Sequence, residues 1–391
     1  MPYADIRGSR ASGAEHVRKR IAKSNALAWV LALASPACLL KPNIGPPGEP
    51  GPLGAVGEAE RLGYIRHAQV WHRTDVSAMD LSRGPQGVKS FTPFQTVTCD
   101  YVDRPRRGTT PKFHCALAPG DVVKVKYGRA EGKVYAQVVA TRLFWALGFG
   151  TNAEYRVTVQ CRNCPADPWK ATQPRLPLVT FEYAMLEREL PGEEIAHKPD
   201  EGWGFKELSL VDESQGGASA VQRDALLLLA AFVQHSDNSP NNQRLVCLPE
   251  GVQKDPSGRT TCTAPFMYIE DLGSTFGRGN FWHQTTTARG NYREWSRVPM
   301  WEGSGCRAHL KPGMIAPTLK DPVVSEAGRR FLADLLGQLT DAQIRDMFAA
   351  GTIDKRGWPS PRHDKNNGTL EEWVQAFKRR RDEVVNHHCS S

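Results

Sequence analysis

The feature that most constrains the fold is an apolar segment followed directly by a polar cluster. Residues 225–233 read Ala-Leu-Leu-Leu-Leu-Ala-Ala-Phe-Val. A run that is apolar on all sides predicts a helix, over Ala220–His235, that is buried on every face. The next residues, 235–242, are His-Ser-Asp-Asn-Ser-Pro-Asn-Asn. The buried helix therefore leads directly into a run of polar side chains that begins in the interior of a domain.

Size and charge limit the class of protein. The chain has 391 residues, of which 40% are hydrophobic and 24% charged, so it can hold one large two-lobed domain or two ordinary ones. Its net charge of +8 favours anionic partners such as nucleotides, acidic proteins or membrane surfaces. The one dense basic run, 378–381, falls in an amphipathic pattern typical of a solvated helix face, so no nucleic-acid partner is expected. The sequence contains no stretch of 18 apolar residues, so no transmembrane span is expected.

The N-terminus has the layout of a secretory signal peptide. Basic residues between Arg18 and Lys23 precede the apolar run Ala26–Ala34, and Ser35-Pro36-Ala37 supplies small residues at the usual cleavage spacing. We expect residues 1–37 to be removed and the protein to be exported to the periplasm or beyond; an ordinary N-terminal helix is the alternative. Cys38 would be the position of a lipid anchor, although Ser35 stands where such sites carry Leu. Residues 38–60 read as a Gly/Pro-rich linker.

Strands dominate the next part of the chain and helices the last. Alternating patterns predict strands over 96–101, 112–117, 122–127 and 178–187, with a helix over Val134–Leu147. Further along, two strands, 244–248 and 266–271, precede helices over 326–339, 341–350 and 370–385. These patterns predict an α+β fold with a strand-rich N-lobe, 61–190, and a mostly helical C-lobe, 191–391.

The polar residues include a candidate for each group that phosphoryl transfer from ATP requires. That chemistry needs a turn that covers the phosphates, a lysine that holds them, a carboxylate that orients the acceptor, and ligands for a metal. Asp237 and Asn242 stand five residues apart, the separation used for the acceptor-orienting Asp and a metal-binding Asn. A predicted hairpin then leads to Asp271, the second metal ligand. Upstream candidates are Lys124 for the phosphates and Gly108, Thr109, Thr110 and Lys112 for the covering turn.

Each of these residues also has a purely structural interpretation. Lys124 and Lys126 fall on one face of their strand and could both face solvent. Asp237 and Asp271 could cap turns. His235 fits a buried histidine that supports the loop better than a catalytic base.

Two pairs of segments carry a resemblance to known proteins. HSDNSPNNQRL and IEDLGSTFGR resemble the catalytic and metal-binding segments of atypical kinases of the lipid kinase-like, HipA-like and secreted casein-kinase-like groups. VVKVKYG and VYAQVVATRLFWALGFG resemble their lysine strand and bracing helix, and residues 95–350 resemble uncharacterised exported bacterial proteins with the same segments. The resemblance implies a two-lobed kinase fold that binds ATP and Mg²⁺ or Mn²⁺.

One position departs from the pattern. The bracing helix of a kinase offers a Glu to the strand lysine, and Gln137 occupies the aligned position. An amide brings no charge, so we expect Lys124 to be held less firmly and a Gln137→Glu change to strengthen activity. Glu131 or Glu154 could substitute, but neither lies on the predicted helix. The chain is therefore expected to be either a phosphotransferase, with a protein, lipid or small-molecule acceptor, or a nucleotide-binding pseudokinase or scaffold.

The cysteines fit an oxidising compartment. Cys247 and Cys262 stand near facing ends of the predicted hairpin, so a disulfide between them is expected. Cys99 and Cys115 flank the Gly108 turn on neighbouring strands and could be bonded in the same way. Cys161-Arg-Asn-Cys164 reads as a loop staple or as half of a zinc site. Cys306 and Cys389 have no evident mate in the sequence.

Overall fold

The computed structural model describes residues 53–87, 89–106, 108–170, 173–277, 289–313, 316–357 and 367–389. All of them belong to one compact unit, Pro47–Ser391. The expected signal peptide, Cys38 and most of the expected linker lie outside the described residues. The first helix, α1 (Glu58–His67), begins inside the segment expected to be linker.

Five strands form a closed barrel in the N-terminal half. The strands are β1 (Thr96–Val102), β2 (Lys112–Ala118), β3 (Asp121–Tyr127), β4 (Ala153–Pro165) and β5 (Arg175–Arg188). Their order is β1-β2-β3-β5-β4, and parallel pairing of β4 with β1 closes the barrel. Valine, phenylalanine and cysteine side chains alternate inward and form its core. Sequence patterns did not reveal β4 or the closure.

A helix packed against the barrel connects β3 to β4. Helix α2 (Gly132–Ala146) begins at Glu131, whose side chain accepts a hydrogen bond from the main-chain N–H of Lys133. Nearly all of its side chains are buried, which agrees with its mostly apolar sequence. The helix ends where Gly148 adopts a φ of +83°, a conformation that glycine tolerates best. The expected bracing helix is therefore present.

The C-terminal half is mostly helical. The apolar run forms α3 (Ala220–Phe232), which begins with a capping box between Ser219 and Gln222. A short helix, α4 (Tyr292–Trp295), follows, and α5 (Glu326–Gly337) packs against α3. Helices α6 (Asp341–Gly351) and α7 (Leu370–Val385) complete the set, and α7 packs on both α5 and α6. The expected helices are confirmed to within a few residues at their ends.

Short strands carry the chain back toward the barrel after α3. Strand β7 (Gln243–Cys247) pairs with β10 (Pro265–Ile269), and β6 (Glu193–Glu194) adds a third strand. A small hairpin, β8 (Val252–Lys254) with β9 (Thr260–Cys262), lies between β7 and β10. The pairing of β7 with β10 is the hairpin expected between Asn242 and Asp271.

Four pairs of cysteines lie at disulfide-bonding distance. Cys247 with Cys262 is the pair expected from the sequence, and Cys99 with Cys115 is a pair that the sequence left open. Cys161 pairs with Cys164, as expected for a loop staple. Cys306 and Cys389, 83 residues apart, also pair. These pairs favour a non-reducing environment.

None of the helices in the described part of the chain is long and apolar enough to cross a membrane.

The described residues form a mixed α and β fold, in which a five-stranded barrel precedes a helical half.

Candidate functional site

Charged residues form a row across one face of the barrel. Strand register places Lys124 on β3 opposite Glu187 on β5, and Glu187 opposite Glu154 on β4. Residues opposite each other in a sheet point to the same side, so the three side chains face one direction. Lys124 Nζ donates to Glu187 Oε1 (2.6 Å) and to Glu270 Oε1 (3.2 Å). The predicted phosphate lysine is therefore paired with two carboxylates.

Lys126 lies deeper in the same face and contacts more of the expected site. Its Nζ donates to Gln137 Oε1 (2.7 Å) and forms ion pairs with Glu187 Oε2 (3.0 Å) and Asp271 Oδ2 (3.7 Å). Only 3% of its side chain is exposed, against 21% for Lys124. Gln137 was expected to contact Lys124, and that pairing is wrong. Lys126, two residues further along β3, takes the contact instead.

Glu154 stands behind Gln137. Gln137 Nε2 donates to Glu154 Oε1, and both residues are fully buried. Burial, together with the nearby carboxylates of Glu187 and Asp271, holds the pKa of Glu154 well above its ordinary value, although Lys126 opposes the shift. Glu154 was expected as a possible substitute partner for Lys124. In the structure it reaches Lys126 through Gln137.

Backbone hydrogen bonds bring Asp237, Asn242 and Asp271 together. Asn242 Nδ2 donates to the main-chain oxygen of Asp237 (2.6 Å). The main-chain oxygen of Asn242 accepts from the N–H groups of Glu270 (2.9 Å) and Asp271 (3.1 Å). The loop after α3 and the end of β10 are thereby held side by side, as the sequence order required.

Gly273 allows the residues around Asp271 to pack closely. Its N–H donates to Asp271 Oδ1 (2.9 Å). A Cβ atom on Gly273 would lie 2.9 Å from Gln137 Oε1 and 3.0 Å from Lys133 Cβ. Any larger residue would therefore push α2 away from Asp271. This close approach is a physical reason for the Asp-Leu-Gly sequence at this position.

Lys133 is a site residue that the sequence analysis missed. Its Nζ lies 3.4 Å from Asp237 Oδ2, and 7% of its side chain is exposed. Lys133 and Gln137 are four residues apart, so they lie on the same face of α2. The four-residue spacing could have identified Lys133 as a site residue, because a helix that directs Gln137 toward the site also directs the residue one turn earlier toward it.

The expected covering turn lies between β1 and β2. Gly108 has a φ of +78°, Thr109 is exposed, and Thr110 is buried. Lys112 stands opposite Lys126 in the register of β2 and β3. Burial and the charge of Lys126 lower the pKa of Lys112 to about 8, although Asp271 opposes the shift. The turn thus leads directly into the charged face.

Opposite charges compensate one another inside the site. Burial would raise the pKa of Asp271, but Lys126, Lys133 and Lys112 hold it well below its ordinary value. Burial opposes ionisation of Glu187 too, yet Lys124 and Lys126 lower its pKa to about 2. Glu187 and Glu270 raise the pKa of Lys124, and Asp271 and Glu187 raise that of Lys126, although burial lowers both. Asp271 and Glu187 are therefore ionised at neutral pH.

His235 is buried at the start of the same loop. Neither of its ring nitrogens has a hydrogen-bond partner among the described residues. Burial lowers its pKa to about 4, although Asp237 and Asp271 oppose the shift. A neutral, enclosed imidazole agrees with the expected supporting role.

The donor set at the end of β10 suits a hard cation. Asp271 supplies a carboxylate and Asn242 an amide oxygen, since its Nδ2 is already used by Asp237. Mg²⁺ and Mn²⁺ prefer oxygen ligands of this kind, usually one or two from the protein with the rest from phosphates and water. The residues present therefore fit such a metal.

Comparisons with known proteins give little. No protein-family model matches the chain, and no curated protein matches it. Among solved structures, a Helicobacter pylori proinflammatory kinase, CtkA, is similar with a TM-score of 0.40 and 10% sequence identity, over 75% of this chain and 96% of that one.

Proposed function

We propose that this protein is a phosphotransferase with a two-lobed, kinase-like fold that uses ATP and Mg²⁺ or Mn²⁺. The observation that carries the proposal is the contact between Lys126 on the barrel and Asp271 after β10, with Asn242 and Asp237 held beside Asp271 by backbone hydrogen bonds. A lysine, two oxygen ligands and a separate carboxylate are the groups that phosphoryl transfer requires.

The roles follow from position. Lys126, rather than Lys124, contacts the phosphates, because it alone of the two reaches both Gln137 and Asp271. Asn242 and Asp271 would hold the metal, which would supply positive charge to the phosphates. Asp237, one third of whose side chain is exposed, orients the acceptor hydroxyl. The turn that contains Gly108, Thr109, Thr110 and Lys112 covers the phosphates, and Lys124 adds positive charge at its edge.

A second candidate function is a nucleotide-binding pseudokinase or protein-binding scaffold. The specific observation in its favour is that α2 presents the uncharged Gln137 to Lys126. The ionised Asp271 and the intact Asp237 favour the enzyme instead.

Export is part of the proposal. The four cysteine pairs at disulfide-bonding distance fit an oxidising compartment, and residues 1–37 have the pattern of a signal peptide. Lipid anchoring at Cys38 is the variant of this proposal in which the mature protein stays at a membrane surface. The acceptor is a protein, a lipid or a small molecule.

The direct test is a titration of the purified protein with ATP, with and without Mg²⁺ or Mn²⁺, followed by radiolabel transfer. We expect Asp271→Ala to abolish metal-dependent binding, and Asp237→Ala to bind ATP nearly normally but to transfer no phosphate. Absence of ATP binding to the unaltered protein with either metal would overturn the nucleotide site. Binding by the unaltered protein without transfer of the label to the protein itself would favour the pseudokinase.

A further inference from the structure

Gln137 stands between a group that only donates hydrogen bonds and a group that accepts them. Its Oε1 accepts from the ammonium of Lys126, and its Nε2 donates to a carboxyl oxygen of Glu154. The three residues come from β3, α2 and β4. An amide matches both neighbours because it has an acceptor at one end and a donor at the other. A carboxylate at position 137 would match Lys126 but would meet Glu154 carboxylate to carboxylate.

Burial makes this match strict. Gln137 and Glu154 are fully buried and Lys126 is 2% exposed, so solvent does not replace a lost hydrogen bond. Glu154 Oε2 has no hydrogen-bond partner among the described residues. The amide of Gln137 is therefore the one hydrogen-bonding group that the described structure gives the carboxyl of Glu154.

Several charges surround Glu154. They are Lys124 and Lys126 on β3, Glu187 on β5, Asp271 after β10 and Arg142 on α2. A second carboxylate added beside Glu154 would lie among these groups, and the two carboxyls would share one proton.

We infer that Glu154 is a positioning residue that orients the Gln137 amide toward Lys126, and that the Gln137–Glu154 pair together replaces the single helix carboxylate expected at position 137. This inference rests on the proposed function, since Lys126 is the proposed phosphate lysine. Gln137 is thus matched to Glu154. The expectation that Gln137→Glu strengthens activity is reversed, because the change removes the match.

The test is an exchange of the two side chains. Four proteins are compared: the unaltered chain, Gln137→Glu, Glu154→Gln, and the double exchange Gln137→Glu/Glu154→Gln. The double exchange keeps the atoms and the charge but moves the carboxylate next to Lys126, with the new amide at 154 donating to it. The readouts are the thermal unfolding temperature without ligand and the Kd for ATP with Mg²⁺, each followed across a pH series, because two carboxyls that share a proton lose it as the pH rises.

We expect Gln137→Glu to be close to the unaltered protein at the low end of the pH series and to lose unfolding temperature and about tenfold in ATP affinity once the pH is high enough to remove the shared proton. The double exchange should recover both properties without the added pH dependence. Effects of the two single changes that merely add in the double variant would overturn the inference, as would a Gln137→Glu protein that binds ATP more tightly throughout the pH series. If the unaltered protein binds no ATP, the proposed function fails, and the unfolding temperatures alone still decide whether the pair is matched.

Discussion

The ammonium of Lys133 lies 3.4 Å from the carboxylate of Asp237 and joins the first turn of α2 to the loop that follows α3. The contact links the helix that braces Lys126 to the residue proposed to orient the acceptor. The positions of the phosphate lysine and of the acceptor carboxylate therefore depend on one helix.

The first prediction concerns this contact. Lys133→Met should lower the transfer rate at least about tenfold while changing the Kd for ATP much less, because it releases Asp237 while Lys126 and Lys112 still favour the ionised form of Asp271. Radiolabel transfer and an ATP titration measure the two quantities. Lys378→Met is a matched control, since it removes an ion pair between α7 and α6, with Asp341. Equal effects of Lys133→Met on binding and on transfer would contradict the assigned role.

The second prediction separates the two lysines of β3. Lys126→Met should raise the Kd for ATP with Mg²⁺ at least about tenfold and lower the unfolding temperature, because it leaves Glu187 and Asp271 short of a buried charge partner. Lys124→Met should do less, since Lys124 is more exposed and Glu187 keeps Lys126. Calorimetric titration of both variants decides between them. A larger loss for Lys124→Met would return the phosphate role to Lys124.

The third prediction concerns pH. The pKa of His235 is lowered to about 4 from an ordinary value of 6.5, so the unfolded chain binds the proton more readily than the folded one. Its contribution to stability is therefore complete above pH 6.5 and is lost as the pH falls toward 4, a loss of about 3 kcal/mol over that interval. His235→Leu should flatten the acid side of the stability profile in chemical denaturation. His388→Leu, an exposed position, should leave the profile unchanged, and an unchanged profile in His235→Leu would refute the assignment.

The fourth prediction concerns the cysteines. Non-reduced peptide mapping should find Cys247 bonded to Cys262, and replacing both by Ser should cost about 3 kcal/mol under the chain-entropy model. Inside the barrel, Cys115 Sγ lies 3.8 Å from Cys161 Sγ of the neighbouring pair. Partial reduction should therefore yield a Cys115–Cys161 peptide as the first exchanged product. Free thiols at Cys247 and Cys262 in freshly isolated protein would contradict both the pairing and the proposed export.

Local patterns predicted most of the helices and the order of the site. The apolar run of α3 and the patterns expected to form helices over 341–350 and 370–385 are properties of neighbouring residues, and the structure has helices at all three places. The five-residue spacing of Asp237 and Asn242 likewise placed them in one loop. In each case the residues that determine the helix or loop lie within a few positions of it in the sequence.

The partners of the lysines could not be predicted in the same way. Glu187 reaches Lys124 only because β5, and not β4, pairs with β3. Cys306 and Cys389 are 83 residues apart in the sequence, so their pairing also depends on the tertiary fold and not on a local pattern. The alternating pattern of β3 predicts that Lys124 and Lys126 lie on one face of the strand. Which of the two lysines reaches α2 depends on the angle between the helix and the barrel. A two-residue period does not determine that angle.

The parallel pairing of β1 with β4 leaves each barrel strand hydrogen-bonded on both sides. Amide protons in the paired segments should therefore exchange with deuterium only when the barrel opens as a unit, and the strands offer little template for adding a strand from another chain. The lysine strand β3 would then be among the last parts of the molecule to become labelled. The floor of the site would stay fixed while the covering turn adjusts to a ligand.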